Sequence, residues 1–557
     1  MVSSPCENDN QHQQHFKVSF AMKGETGEGV CMILDKSGIS KSVQVGCLLL
    51  SLCVMSGPVG LAQSVLRTSS AEQRTVRAFA AASKSPLELR VFLQGMPKGA
   101  DLHLHMSGGT VYSETLIGDA VQDGLCVKTA TMTLIKPQGS CGEGAVPVAN
   151  ALKDQNLYDA MVNAFSMRYF VPSSGISGHD QFFATFDRFE ALGKSHDGEW
   201  VDEIATRAQE QNEQYIEAMY TPVFANAAKL GYQVGWSGDS AEDLKKTYDA
   251  LLAGGLRDEI ATDRKQLDTV EATRAQREHC GETQAKPACS VKVLYLYQVL
   301  RGFPPQQVFA QTLLGFELAS VDPRVVGINF VMPEDGYLSM RDYHLHMRML
   351  DYLHGIYPKV RMTLHAGELS PGMVPPEGLK FHIREAVELG HAERIGHGVD
   401  VMYEDRPHEL LQEMAAKHIM VEINLTSNDV ILGIKGKDNP LSLYRAAHVP
   451  LALSTDDEGV SRIDITHEYE KAVEEQGLGY LDLKNMARTS LEHSFIPGES
   501  LWAAPDNFTR RKAACAGPIT PESKPASTCA ALLESSDRAA QQWELERRLA
   551  AFESSSR

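Results

Sequence analysis

Residues 97–109, PKGADLHLHMSGG, carry two histidines one residue apart in an otherwise apolar run, His103 and His105. Alternation along a strand turns both imidazoles to one face, with Leu102 and Leu104 on the other, so the histidines can converge on one point. Later segments add groups of the same kind: His365 and Glu368 in TLHAGE, His397 in ERIGHG, and Asp456 and Asp457 in LSTDDEG. Three histidines and a carboxylate are a sensible donor set for a divalent transition metal, zinc first. His103, His105, His365 and Asp456 are the expected ligands of one Zn2+ per chain, with one position left for water. Zinc lowers the pKa of such a water to about 7, which gives hydroxide at ordinary pH. Glu368 lies one helical turn past His365, so it can reach the site without ligating. A carboxyl kept protonated by a dry pocket is a suitable general acid. His397 is placed to orient or deprotonate the attacking water, and Asp457 to bind substrate or to hold a ligand. Adjacent aspartates face opposite ways on a regular strand, so both serve the site only if the chain turns at Thr455–Asp457. The other reading of Asp457 is a helix N-cap.

These groups need a scaffold that brings distant segments to one place. Eight short runs read as buried or half-buried strands: 100–106, 214–221, 292–300, 325–331, 360–366, 393–398, 419–425 and 450–455. Helical periodicity fills intervening segments such as 304–319, 341–355 and 405–417. Strand alternating with helix is the sequence form of a parallel sheet, and eight such units predict an α/β fold of the (β/α)8 TIM-barrel type. In such barrels the functional groups sit at the C-terminal ends of the strands. His103 and His105 end the first run, His365 the fifth, His397 the sixth, and the aspartate pair the eighth, all on one rim. The barrel is expected over 93–500, after an N-terminal helical segment at 63–92. Residues 117–155 read as an insertion of short strands and turns after the first strand, and 240–290 as a charged helical excursion. The additions end with 501–557, a linker and then a charged helix at 532–552 that either packs on the barrel or is solvated. The segment GHDQFF at 178–183 begins a helix beside the pocket, where His179 is either a substrate contact or a structural histidine.

In this order and spacing, PKGADLHLHMSGG, TLHAGE, ERIGHG, LTSN and LSTDDEG resemble the adenosine deaminase family of metal-dependent hydrolases over roughly residues 93–475. The resemblance implies a zinc-bearing barrel that hydrolyses the 6-amino group of adenosine-type purines to give the inosine product and ammonia. It implies that metal hydroxide adds to purine C6 while Glu368 protonates ring N1, His397 positions the hydroxide and Asp457 bonds the ring. The chain also departs from the family. The first motif usually reads H-x-H-x-D-G, with its aspartate on the ribose; here Ser107 stands there, still followed by Gly108. After the fourth strand the family commonly places a glycine whose backbone approaches the purine. Here Met332-Pro333-Glu334 follows, in which Glu334 fits the pattern, and proline brings no backbone donor. Glu458 replaces a common proline after the aspartate pair. Ser107, Gly108, Glu334, His179 and Asp457 are therefore the expected substrate contacts, on an intact catalytic set with altered sugar and ring contacts. That leaves open another aminopurine or a modified adenosine as substrate. A nucleotide ranks lower, because no cationic cluster beyond scattered residues such as Arg301, Arg445 and Arg462 is present. An extracellular binding or signalling protein with a residual deaminase fold is the alternative from another class.

The 557 residues are 43% hydrophobic and carry a net charge of −19, which argues against nucleic acid or an anionic membrane as a main partner. Near the N-terminus, Lys36 and Lys41 precede the apolar run from Val43 to Met55, and small residues precede Gln63. This layout predicts a signal peptide at 32–62, a disordered over-extended start at 1–31, and export to the periplasm or the medium without stable membrane insertion. Of ten cysteines, six follow the expected cleavage point in sequence-local pairs, which suggests disulfides 126–141, 280–289 and 515–529. The signal, the cysteine-bearing insertion and the MPKGA opening resemble the secreted, growth-factor-related branch of the family. Members of that branch use a comparable insertion for dimerisation, which implies a homodimer here.

Overall fold

Near-continuous apolar runs such as KVLYLYQVL and VVGINFV belong to strands covered on both faces, as parallel strands under helices must be. The computed structural model describes residues 70–556, and all eight expected runs are strands in it. They are β1 (Gly99–His105), β5 (Glu213–Tyr220), β6 (Lys292–Leu300), β7 (Val325–Val331), β8 (Thr363–Ala366), β9 (Arg394–His397), β10 (Met420–Ile423) and β11 (Leu451–Leu453). Between the first two come β2 (Cys126–Lys128), β3 (Thr133–Ile135) and β4 (Ala145–Pro147). Parallel pairing gives two four-stranded halves, β1-β5-β6-β7 and β8-β9-β10-β11. Single parallel bridges, Ile328 with Met362 and Leu104 with Asp456, join the halves at both seams. The result is a (β/α)8 barrel, with helices such as Pro305–Val321, Tyr343–Ile356 and Pro407–Ala416 returning the chain between strands. The segment 32–62, where a signal peptide is expected, and residues 1–31 lie outside the described residues.

The structure corrects two local expectations. Leu102 does not share a face with Leu104: it packs with Tyr215, Leu294 and Ala452, whereas Leu104 joins the layer beneath the helices. The cause is a register shift between Asp101 and Leu104 in the pairing of β1 with β5, the kind of irregularity that re-aims side chains next to a site. Residues 117–122 are not strand or turn but the end of a helix, Ser113–Gln122. Leu116, Ile117 and Ala120 supply its buried face at helical spacing. The rest of the insertion is the small antiparallel sheet β3-β2-β4 followed by a short 3-10 helix, Val148–Leu152.

The C-terminal helix Asp537–Ser555 packs on the barrel rather than standing in solvent. Leu545 and Leu549 meet Ala100, Leu102 and Tyr215 at the N-terminal ends of the strands, opposite the rim. Its Glu553 pairs with Lys484 and accepts the Tyr480 hydroxyl at 2.9 Å. The cysteine pairs 126–141, 280–289 and 515–529 are disulfides, with Cα separations of 5.5, 5.6 and 4.8 Å. Among the described residues no helix is long and apolar enough to cross a membrane.

Candidate active site

The C-terminal ends of β1, β8 and β9 and the turn after β11 bring their polar residues to one buried point. His103 and His365 face each other with Nε2 atoms 3.1 Å apart. Asp456 Oδ1 lies 3.6 Å from His103 Nε2 and 3.1 Å from His105 Nε2. His397 is fully buried beside them, its Nε2 3.9 Å from Asp456 Oδ2 and 3.7 Å from Glu368 Oε1. The donor atoms fall into two compact groups, one of His103, His365, His397 and Asp456, the other of His105, Asp456 and Asp457, with Asp456 common to both.

Each imidazole is fixed from behind through Nδ1. His103 donates to Glu422 at 2.6 Å, His105 to Gln298 at 2.8 Å, His365 to Asn329 at 2.8 Å and His397 to Asn428 at 3.0 Å. An Nδ1–H committed in this way leaves the Nε2 lone pair facing the centre, which is the tautomer a metal ligand needs. Burial holds His103 and His397 below the ordinary histidine range and His365 well below it, so these rings stay neutral donors. Burial also works against a charge on His105, but the Asp457 and Asp456 carboxylates overcome it and push that group up to about 10. Asp456 is held below the usual carboxylate range despite burial, by its hydrogen bond to His105 and the charges of the surrounding histidines. The neutral imidazoles of His103, His365 and His397 beside an ionised Asp456 fit a divalent cation, and His105 would release its proton on joining them.

The aspartate pair turns as the metal reading requires. Asp456 sits at φ +59, so the chain reverses its alternation and both carboxylates serve the same side. Asp457 occupies the N-cap position of the short helix Glu458–Ser461, yet its side chain makes no cap hydrogen bond. Its Oδ1 is instead buried without a partner, so close to Gly109 that no side chain fits at that glycine. Burial first, then Asp456 and Glu368, raises this carboxyl well above its usual range. Glu368 is raised in the same way by burial, Asp456 and Glu334. His397, like Asp456, takes a left-handed conformation, at φ +69. Such backbone in residues other than glycine collects where side chains must be aimed.

The other expected contacts divide. His179 is half-buried, 3.0 Å from Asp335 and in ring contact with Phe183. Ser107 is half-buried, and Gly108 at φ +91 presses its Cα face against the Phe189 ring. Glu334 is fully buried and turned to the Gly367-Glu368 backbone rather than to the rim. Glu458 is bonded to Arg207, which also donates to the Thr110 carbonyl at 2.9 Å, so this residue ties the turn to the β1 loop. The groups behind the histidines, Glu422, Gln298, Asn329 and Asn428, were not singled out from the sequence. For Glu422, Gln298 and Asn329 the signal is a polar residue inside an otherwise apolar strand, as in IMVEINL, KVLYLYQVL and VVGINFV, whereas Asn428 lies on the helix Leu425–Leu432, within the LTSN run.

The sequence profile of the adenosine deaminase family matches residues 180–503, more than half of the chain. The chain belongs to the adenosine deaminase family. It is 33% identical over 140 residues to an adenosine deaminase of Clostridium perfringens, a stretch covering 25% of this chain and 39% of that one. It is 35% identical over 136 residues to an adenosine deaminase of Shewanella loihica, covering 24% and 38%. The chain thus spans well under half the length of these curated relatives. Among solved structures, it is similar to an adenine deaminase from Arthrobacter aurescens, at 18% identity and a TM-score of 0.47 over 72% of this chain and 94% of that one.

Proposed function

We propose that this protein is a zinc-dependent aminohydrolase that converts adenosine or deoxyadenosine to the inosine product and ammonia. The observation that carries this reading is the buried convergence of His103, His105, His365 and Asp456 with Glu368 and Asp457 at one barrel rim. The donor set fits a zinc ion held by His103, His105, His365 and Asp456, leaving His397 beside Glu368 to serve the reacting water. When bound there, the metal supplies Lewis-acid activation of water.

The chain's own residues account for the proton movements. Glu368, kept protonated by burial and by nearby carboxylates, donates to ring N1 as water adds to C6. His397 is held below the ordinary histidine range by burial, and its Nε2, beside Asp456 and Glu368, is placed to accept a proton from the water. The Glu368 proton ends on N1 and one proton of the water restores Glu368, while the other passes by way of His397 to the departing ammonia, so adenosine and water balance against inosine and ammonia. Asp457, raised above its usual range by burial and by Asp456 and Glu368, has its unpartnered Oδ1 placed to bond a second ring nitrogen.

The rim favours a nucleoside over a nucleotide. Arg301 donates to the carbonyls of His365 and Met332, Arg462 pairs with Glu114, and Arg445 pairs with Asp482. Those arginines are therefore committed to protein acceptors. Export belongs to the same proposal, supported by three disulfides and by the basic-then-apolar segment before Gln63.

The test is the ultraviolet absorbance of adenosine and of a panel of aminopurines incubated with purified protein, with and without a chelator. We expect ammonia release from adenosine or deoxyadenosine that a chelator stops and zinc restores. Turnover of another aminopurine alone would overturn the substrate, and no turnover of any would overturn the enzyme reading. Cell fractionation tests export, with the processed N-terminus expected near Gln63.

A further inference from the structure

Glu334, just past the end of β7, has a fully buried side chain with both oxygens spent on the peptide that carries Glu368. Oε1 accepts the Gly367 N–H at 3.1 Å and Oε2 accepts the Glu368 N–H at 2.7 Å. From behind, His382 Nδ1 donates to Oε1 at 2.5 Å. The His382 ring is itself clamped, stacked on Tyr343 with centroids 3.8 Å apart and planes 12° apart. The Tyr343 hydroxyl donates to the His382 carbonyl at 2.7 Å. On the opposite side of the same loop, the Gly367 carbonyl accepts the Val399 N–H at 2.7 Å, two residues past His397. Gly367 itself must be glycine: at φ +74, a side chain there would run into Asp400 and Ile383. Burial favours the neutral form of Glu334, but His382 and Arg301 overcome it and hold the carboxyl below its usual range. It therefore accepts as a carboxylate, and hydrogen bonds to an ionised acceptor are roughly twice as strong as neutral ones.

We infer that Glu334, backed by His382, is a positioning residue that fixes the backbone from which Glu368 reaches the rim. This rests on the deaminase reading, in which Glu368 is the general acid, and it replaces the substrate contact expected of Glu334. A carboxylate suits the task because two adjacent N–H groups need two acceptors. An amide in its place would turn an NH2 group towards one of them and leave that buried donor unanswered.

The experiment is steady-state kinetics of zinc-loaded variants on the aminopurine that the unmodified protein turns over. E334Q should lower kcat roughly 30- to 100-fold, the scale of a misplaced catalytic group, while KM moves less than about threefold. Metal content should stay at that of the unmodified protein. The double variant E334Q/E368Q should be no slower than E368Q alone, because groups that act as one unit do not add. H382N, whose amide can donate near the Nδ1 position, should keep more activity than H382Q. A double variant slower than E368Q by the full E334Q factor would overturn the proposal, as would a raised KM with kcat preserved. Should E334Q fail to fold, the H382N and H382Q pair decides, and equal activities would overturn it. The deaminase reading fails separately, if the unmodified protein has no turnover or if E368Q leaves it unchanged; either result removes this proposal as well.

Discussion

Single side chains in the barrel interior are tied to the site through charge. Arg394 lies 2.7 Å from Glu217 and 2.6 Å from Glu422, and Glu422 accepts from His103 and, at 2.8 Å, from Thr363. Burial works against the Glu422 charge, but Arg394 and the His103 hydrogen bond hold its carboxyl down to about 2, against an ordinary 4.5. The sign follows: a depressed carboxyl contributes fully above 4.5 and loses that contribution as the pH falls towards 2. E422Q should cost about 3–5 kcal/mol at pH 7, because Arg394 is left short of a buried partner. Denaturation midpoints measured from pH 7 down to 3 should show the gap between the two proteins narrowing in acid. A gap that stays constant would mean that the charge on Glu422 is not what stabilises. Met332 offers a second test at this scale. It sits at φ +91, a conformation that suits glycine, and its sulfur accepts the Gly302 N–H at 3.3 Å. Left-handed backbone costs a β-carbon about 1–2 kcal/mol, roughly what the lost thioether contact and added chain entropy would take back. M332G should therefore change unfolding free energy by less than about 1 kcal/mol, whereas the β-branched M332V should lose more than 2 kcal/mol or so, both read by chemical denaturation.

At the scale of elements, the insertion and the barrel should come apart energetically. The sheet β3-β2-β4 has three residues per strand, too few to be stable alone, and its support is the disulfide Cys126–Cys141 with the cluster under it. Closing a loop of this length is worth about 3 kcal/mol. C126S/C141S should lose that stability locally: hydrogen exchange should speed up across 126–147 while kcat and metal content hold. A matching loss of activity would show that the insertion shapes the rim. This scale also shows what could be read from sequence. The eight barrel strands were legible because two-sided burial leaves apolar runs, and the rim followed because His365, His397 and the aspartate pair all fall at run ends. The β1 irregularity was not legible, since DLHLH alternates perfectly and only pairing with β5 displaces Leu102. Nor was Glu334, because a carboxylate two residues past a strand end reads equally well as a ligand contact or a backbone acceptor. Helix 537–555 could be placed only once the barrel bottom supplied a partner for Leu545 and Leu549.

The whole barrel has an uneven construction that bears on metal removal. Within each half the strands share ladders of several pairs, interrupted by register shifts in β1–β5 and β6–β7, but each seam has a single bridge. The expected ligands straddle one of them: His103 and His105 come from β1 in the first half, and His365 and Asp456 from β8 and the turn after β11 in the second. The Leu104–Asp456 bridge and the Asp456 N–H to His103 carbonyl bond, 2.8 Å, lie in the same place. A cation held by these four side chains therefore ties the half-barrels across their weakest junction. Ligand present at 1,000 times its dissociation constant stabilises a fold by about 4 kcal/mol, so chelation should lower Tm by several degrees. The distribution is the sharper expectation: exchange should accelerate at β1 and at residues 454–457, and much less inside β5-β6-β7 or β9-β10. H103A should reproduce that pattern with metal present, because the donor is lost. Uniform acceleration over all eight strands would mean that the metal stabilises the barrel as a single unit and that the seam is no weaker than the ladders.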